Sequence, residues 1–100
     1  MNTISSLLNF IGKRIEKIQG GTVAGQAVSP GQFLDVSVTF PKAYSIAPTV
    51  VACLNSTSTS AEMGLITISA NAITTTGFTA RIFNGGSSSR TPAFRWVAIP

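Results

Sequence analysis

The stretch GFTARIFNGGSSSRTPAFRWVAIP, residues 77–100, decides the fold of this 100-residue chain. Apolar and polar residues alternate in both flanking runs, which is the period of a β-strand, and a Gly/Ser segment separates them. The alternation predicts a closing β-hairpin that places Phe78, Ile82, Phe94 and Trp96 in a core between two sheets. A large aromatic residue on an alternating strand usually belongs to the core, so we interpret Trp96 as structural rather than ligand-stacking.

The opposite face of the predicted hairpin interleaves basic and apolar residues. Arg81 and Phe83 lie on it in the first run, and Arg95, Val97 and Ile99 lie on it in the second. A solvated face would not normally carry so much apolar surface, whereas arginine stems can cover such surface at a contact. We therefore predict that this face is an interface between subunits.

The chain upstream of residue 77 contains further strand-like runs separated by turn residues. These runs are QFLDVSVTF (32–40), PTVVACLN (48–55) and GLITISANAI (64–73), with a weaker one near TVAGQAVS (22–29). No helical pattern intervenes between them, and their spacing is typical of a small all-β domain. The sequence therefore predicts a mainly β fold, a six-stranded antiparallel β-sandwich over residues 21–100.

Residues 1–20 have a helical period instead and form a separate N-terminal segment. A helix is predicted from Asn2 to Gln19, with Gly20-Gly21 ending it. Its apolar residues recur with gaps of 4, 3, 4 and 3, which is a heptad seam, and isoleucine at the d positions favours three or four strands over two. The seam consists of Ile4, Leu8, Ile11, Ile15 and Ile18.

Three alternatives fit this amphipathic helix. It could pack on its own β-domain, which would also require one apolar face. It could lie at a membrane interface, for which Lys13, Arg14 and Lys17 are too few to make a strong case. It could join several copies as a short coiled coil, and because so short a helix is marginal alone, the globular parts would have to contribute.

The composition excludes most catalytic and metal sites. The chain has no histidine, the single cysteine Cys53 and the three acidic residues Glu16, Asp35 and Glu62. A Ser-His-Asp triad and a His/Cys zinc site cannot be built from that set, so neither an enzyme nor a cofactor is expected. Cys53 lies in an apolar run and is expected to be a small buried side chain.

The net charge of +4 is spread thinly along the chain. A nucleic-acid-binding protein usually has a denser basic face, so nucleic acid is not an expected partner. The apolar runs are too short to cross a bilayer as a helix, and no signal peptide is recognised at the N-terminus.

Three segments resemble the H-type lectin domain and its relatives in phage tail and fibre proteins. They are VTFPKAYSIAPTVVACL, TTTGFTARIFN and FRWVAI, and with them the resemblance covers roughly residues 32–99. The resemblance implies a six-stranded antiparallel sandwich that assembles as a homotrimer. It implies a phage virion structural protein, a small trimeric fibre or knob, with residues 1–20 as the trimerisation helix or the anchor to other virion proteins.

The sequence departs from the sugar-binding members of that family at both ends of their site. Those members have an arginine ahead of the fourth long strand, where this chain has MGL around Leu65. They also have a Trp-His pair in the final hairpin, where this chain has Gly85 and Gly86. The resemblance therefore transfers no sugar-binding residue to this chain.

Two small polar loops, residues 55–63 and 84–90, are the predicted contacts with a host surface or glycan. Neutral polar side chains suit carbohydrate because sugar hydroxyls need both donors and acceptors. The alternatives are a stand-alone carbohydrate-binding lectin and a purely structural capsid or tail decoration protein. The predicted contact residues are Asn55, Ser56, Thr57, Ser58, Thr59, Asn84, Ser87, Ser88 and Arg90.

Overall fold

Six β-strands make up the fold in the computed structural model, which describes residues 16–100 of the chain. The strands are β1 (Gln19–Val23), β2 (Phe33–Thr39), β3 (Thr49–Leu54), β4 (Ile66–Asn71), β5 (Gly77–Asn84) and β6 (Phe94–Ile99). A short 3-10 helix, Ala61–Leu65, precedes β4. The prediction of a six-stranded antiparallel fold is confirmed. This part of the chain contains no helix that is long and apolar enough to span a membrane.

The strands form two three-stranded antiparallel sheets, ordered β1-β6-β3 and β2-β5-β4. The prediction that β5 and β6 form a closing hairpin is therefore wrong. Each of them is the central strand of its own sheet and pairs with a neighbour on both sides, so neither has an edge free for the other. Residues 85–93 instead cross from one sheet to the other.

The core lies between the sheets, and the inward-facing residues predicted for β5 and β6 are confirmed. Ile82 and Phe94 are fully buried, and Trp96 is only 5% exposed. The ring of Trp96 lies 5.6 Å from that of Phe40 and 5.7 Å from that of Phe78, measured between centroids. Because such edge and tilted contacts add to the burial of the rings, this aromatic cluster is the packing centre of the fold.

Two glycines allow close approach of backbone and ring around this cluster. A Cβ on Gly77 would collide with the backbone carbonyl oxygen of Val38 on the neighbouring strand β2. A Cβ on Gly21 would lie 2.9 Å from the indole Nε1 of Trp96. The glycine of the Thr-Gly-Phe sequence at the start of β5 is therefore required, because β2 and β5 approach too closely at Gly77 for any side chain.

The predicted N-terminal helix does not extend to Gln19. Residues 16–18 belong to no regular element, and β1 takes up Gln19 and Gly20, which the prediction assigned to the N-terminal segment. The reason is long-range bonding, because the Gln19 side chain donates to the carbonyl oxygen of Lys42 at 2.7 Å and accepts its N–H at 2.8 Å. Ile18 is 65% exposed outside any helix. The other seam residues, Ile4, Leu8, Ile11 and Ile15, lie outside the described residues.

The predicted subunit interface is divided between two opposite surfaces. Arg81 and Phe83 lie on the outer face of the β2-β5-β4 sheet, whereas Arg95 and Val97 lie on the outer face of the β1-β6-β3 sheet. The prediction that they form one continuous face is wrong, because it depended on the hairpin. Cys53 is exposed rather than buried, since the period of two along β3 turns Val50, Ala52 and Leu54 inward instead.

Candidate functional site

The strand registers give the sandwich two distinct ends. At one end, Gln19 of β1 pairs with Ala98, and Thr39 of β2 pairs with Gly77. At the other end lie residues 24–32, 55–65 and 85–93, which we call the loop end. Strands of about six residues separate the two ends by roughly 20 Å. The N-terminal segment therefore joins the sandwich at the end opposite to the loop end.

The carboxylate of Glu62 connects two segments of the loop end. Its Oε1 accepts the hydroxyl of Ser87 at 2.7 Å and the backbone N–H of Ser87 at 3.2 Å. Its Oε2 accepts the hydroxyl of Ser88 at 2.7 Å and Nη2 of Arg90 at 2.6 Å. The 3-10 helix and the loop after β5 are therefore held together by one side chain with four hydrogen bonds.

These hydrogen bonds stabilise the ionised form of Glu62. The hydroxyl of Ser88, then the guanidinium of Arg90, then the hydroxyl and N–H of Ser87 lower the pKa of Glu62 from 4.5 to about 2. The carboxylate is thus charged at neutral pH and fully engaged with its own protein. We interpret Glu62 as an organiser of the loop end rather than a ligand-binding or catalytic acid.

Asn84 supports the same loop from below. It is fully buried, which corrects its prediction as a direct contact residue. Its side-chain N–H groups donate to the carbonyl oxygens of Val28 and Ser88 at 3.0 and 2.9 Å. Its Oδ1 accepts the N–H of Gly86 at 2.9 Å. Every hydrogen bond of this amide is directed at backbone, so Asn84 fixes the path of the loop by joining Val28, Gly86 and Ser88.

A groove of about 350 Å³ opens beside this framework on the loop end. Hydroxyl and amide groups from residues 55–58 face a mainly apolar wall from Met63, Pro92 and Ala93. Within the described part of the chain, the Nε of Arg90 is buried and has no hydrogen-bond partner. The residues lining the groove are Asn55, Ser56, Thr57, Ser58, Met63, Arg90, Thr91, Pro92 and Ala93.

The structure therefore divides the predicted contact residues into three groups. Asn55, Ser56, Thr57, Ser58 and Arg90 line the groove, and Thr59 is exposed in the same loop beyond it. Ser87 and Ser88 have their hydroxyls committed to Glu62, and Asn84 is buried beneath the surface.

Sequence reasoning missed Glu62 as the link between the loops and missed the wall formed by Met63 and residues 91–93. The sequence offered one signal for Glu62. It is one of only three acidic residues in the chain, and it follows a segment rich in serine and threonine. Across residues 16–100, no group of three His, Cys, Asp or Glu residues is placed to hold a metal ion.

Strands β2 to β6 match a known protein family. The family model of the H-type lectin domain matches residues 35–99, which run from β2 to the last residue of β6. The chain belongs to the H-type lectin domain family. The resemblance stated from the sequence is thereby confirmed.

Solved structures of similar fold include pyocin tail fibres and a phage tailspike. An R1-type pyocin tail fibre has a TM-score of 0.66 at 20% identity, covering 81% of this chain and 67% of that chain. A longer C-terminal part of the Pseudomonas aeruginosa R1 pyocin fibre has a TM-score of 0.67 at 20% identity, over 81% and 22% of the two chains. No curated protein sequence matches the chain significantly.

The tailspike protein gp49 from Pseudomonas phage LKA1 has a TM-score of 0.63 at 24% identity, covering 82% of this chain. This H-type lectin domain spans only 14% of that tailspike and 22% of the longer fibre. The likeness therefore concerns one domain of larger proteins.

Gly86 fits between the two side chains that organise the loop. A Cβ on Gly86 would lie 3.2 Å from Oδ1 of Asn84 and 3.5 Å from Oε1 of Glu62. A larger residue at this position would therefore require Asn84 or Glu62 to move.

We expect the link formed by Glu62 to produce a defined pH dependence of stability. Because its pKa is about 2 in the folded chain and 4.5 for the free group, its contribution is complete above about pH 5 and is lost as the pH falls towards 2. Glu62→Gln should therefore unfold at lower urea concentration than the wild type at pH 7. The two midpoints should converge near pH 2.

The matched experiment repeats both titrations in an Asp35→Asn background. That variant removes the other described carboxylate–arginine pair, Asp35–Arg81, whose carboxylate also titrates in acid. In that background, the urea midpoints with and without Glu62→Gln should still converge near pH 2. A difference in urea midpoint between wild type and Glu62→Gln that stays constant from pH 7 to pH 2 would contradict the role of ionised Glu62 in linking the loops.

Proposed function

We propose that this chain is a structural protein of a phage virion, a small homotrimeric fibre or knob that presents its loop end to the host surface. Membership of the H-type lectin family and the shared fold with tail fibres and a tailspike support a tail-associated role. The observation that carries the proposal is the polarity of the sandwich. The N-terminal segment attaches at one end, and the organised groove lies about 20 Å away at the other.

In this proposal, residues 1–20 join three copies or anchor them to other virion proteins. The isoleucine-rich heptad supports the trimer. The docking of Glu16–Gln19 on the loop between β2 and β3 supports the anchor, because Tyr44 donates its hydroxyl to the carbonyl oxygen of Lys17 at 2.7 Å and is itself buried. A segment held in this way fixes the direction in which the sandwich projects from its attachment.

The groove of the loop end is the proposed contact with a saccharide of the host surface. Its hydroxyl and amide groups can both donate and accept, as sugar hydroxyls require, and its apolar wall suits the C–H face of a pyranose ring. The groove is distinct from the sugar-binding positions of the family, which this chain replaces at Leu65, Gly85 and Gly86.

A second candidate function is a decoration protein with no ligand. The self-contained bonding of Glu62 with Ser87, Ser88 and Arg90 favours it, because those donors are already satisfied without a partner. A stand-alone carbohydrate-binding lectin is the remaining alternative, and imaging of purified particles would distinguish it by the absence of the chain from virions.

The groove can be tested by filling it. We expect the wild-type chain to bind a glycan array or intact bacterial cells saturably, and Thr57→Trp to weaken that binding at least tenfold. Thr59→Trp is the matched control, because Thr59 is exposed in the same loop but does not line the groove. Binding that is absent altogether would support the decoration role. Binding that both variants retain unchanged would remove the groove from the proposal.

A further inference from the structure

The two outer faces of the sandwich differ in how their apolar surface is covered. We call the outer face of the β1-β6-β3 sheet the valine face and the outer face of the β2-β5-β4 sheet the ion-pair face. Val97 and Phe83, each on the central strand of its sheet, are similarly exposed at 40% and 41%. Exposure alone therefore does not distinguish the faces, and their charged groups must be compared.

The ion-pair face pairs its charged groups with each other, although Phe33 on it is 56% exposed. Asp35 lies opposite Arg81 across the β2–β5 pair and holds its guanidinium by two hydrogen bonds of 2.8 and 2.9 Å. The same guanidinium lies 4.2 Å from the centroid of the Phe33 ring, which is the register partner of Phe83. The charge of Arg81 is therefore paired within this face, and its guanidinium covers one side of the Phe33 ring.

The valine face has no such cover. Val51 and Val97 are direct cross-strand partners and both are exposed, and Ile99 lies beside them at the end of β6. Among residues 16–100 the two ion pairs are Asp35–Arg81 and Glu62–Arg90, so Arg95 belongs to neither. All three acidic residues of the chain lie outside β1, β3 and β6. The apolar surface here is thus contiguous and lacks an internal partner.

The shape of the valine face also allows close approach. Gly20 is the register partner of Val97 on the β1 side, so no side chain rises between Val97 and the edge of the sheet there. A Cβ at Gly20 would lie 2.9 Å from the carbonyl oxygen of Trp96, so this position is kept flat by the packing of its own sheet. A neighbouring surface can reach the valines directly from that side.

Chain continuity identifies the occupant of this face. Residues 1–15, which carry Ile4, Leu8, Ile11 and Ile15 of the predicted heptad seam, are followed by only Glu16–Ile18 before β1 begins at Gln19 as an edge strand of the β1-β6-β3 sheet. Copies joined by the seam would therefore bring β1, and with it the valine face, towards their common axis. The ion-pair face belongs to the other sheet, which has no direct connection to the seam.

We propose that the valine face is the contact between copies of this chain, and that the ion-pair face remains in water. The inference rests on the homotrimer of the proposed function and adds which surface builds it. In a cyclic trimer such contacts are heterologous, so one part of the face on one copy meets a different part on the next. The Arg95 stem would cover apolar area while its head reaches the rim.

The first test compares charge insertion on the two faces. Native mass spectrometry and light scattering of the full chain should give a trimer for the wild type. Val97→Asp should weaken assembly more than 100-fold, because it buries an unpaired carboxylate in the contact. Phe83→Asp, at equal exposure on the ion-pair face, should leave the trimer intact.

The second test does not require a destabilised variant. Cys53 lies on the valine face opposite Arg95 and is exposed in the single chain. In the native assembly, maleimide should label Cys53 at least tenfold more slowly than it labels Ser37→Cys in a Cys53→Ser background. Ser37 lies on the exposed side of β2, on the ion-pair face. Labelling of Cys53 should become fast when the Val97→Asp variant dissociates.

The outcomes separate the two levels of the proposal. A monomeric wild type at micromolar concentration would overturn the homotrimer and the assignment of the face together. A trimer that survives Val97→Asp but is lost with Phe83→Asp would overturn the face alone. Equal rates of maleimide labelling for Cys53 and for the Ser37→Cys variant within an intact trimer would also overturn the assignment of the valine face.

Discussion

Replacing Trp96 with alanine should lower the free energy of unfolding by about 3–5 kcal/mol. The indole is 5% exposed and is enclosed by Phe40 and Phe78 on one side and by the flat backbone of Gly21 on the other. Its removal leaves a cavity that a glycine and two rings cannot fill. Denaturant unfolding followed by circular dichroism measures the loss, since the variant has no tryptophan to report by fluorescence.

The matched control is Phe83→Ala, which also truncates an aromatic residue on a central strand. Phe83 is 41% exposed on the outer face, so we expect a loss below about 1 kcal/mol. The pair distinguishes a core role for Trp96 from a ligand-stacking role. Unchanged stability of Trp96→Ala together with lost glycan binding would show that the residue acts as a binding platform after all.

Replacing Asn84 with alanine should cost about 1–3 kcal/mol, even though the residue is polar and lies at the edge of a loop. The change removes the side-chain partner of the Ser88 carbonyl oxygen and of the Gly86 N–H, and one of two hydrogen bonds to the Val28 carbonyl oxygen, which also accepts the N–H of Arg90. It also leaves a small space at a fully buried position. The same unfolding experiment measures the effect, and Asn71→Ala, an exposed asparagine at the end of β4, should change stability by less than about 0.5 kcal/mol.

Asn84→Asp should be more destabilising than Asn84→Ala at pH 7. An ionised carboxylate there would face two carbonyl oxygens to which the amide now donates. Burial raises the pKa of such a carboxyl group, and its protonated form can donate one of the two bonds. The deficit of Asn84→Asp should therefore shrink as the pH is lowered. Equal stability of Asn84→Ala and the wild type would contradict the structural role of this amide.

The sequence alone predicted most of the fold because the side-chain period of a strand is a local property. The alternation in residues 77–84 and 94–99 places Phe78, Ile82, Phe94 and Trp96 inward whichever strands become neighbours. The strand count and the family resemblance followed from the same local patterns. The exposed position of Cys53 was missed because both faces of β3 carry apolar residues, so its sequence TVVACL has no clear alternation.

The candidate site was predicted only at the level of its loops. Small polar segments at residues 55–63 and 84–90 indicated a surface, and the groove lies between parts of them. Whether a hydroxyl in those loops is free or committed depends on Glu62, which is more than twenty residues from Ser87 and Arg90 in the chain. No periodicity encodes such a contact, so Ser88 and Asn84 could not be distinguished from Ser56 or Thr57 in advance.

The sequence by itself determined five of the six strands, the buried sides of β2, β5 and β6, and that the chain lacks the residues for a catalytic triad. It placed the first strand near residues 22–29, whereas β1 is Gln19–Val23. Only the tertiary structure decided that β5 and β6 belong to different sheets, and this divides one predicted interface into a valine face and an ion-pair face. It also decided that Asn84 is buried and that Glu62 joins the loops. The physical reason is that alternation is set by neighbouring residues, whereas the choice of strand and loop partners depends on backbone hydrogen bonds and packing between distant parts of the chain.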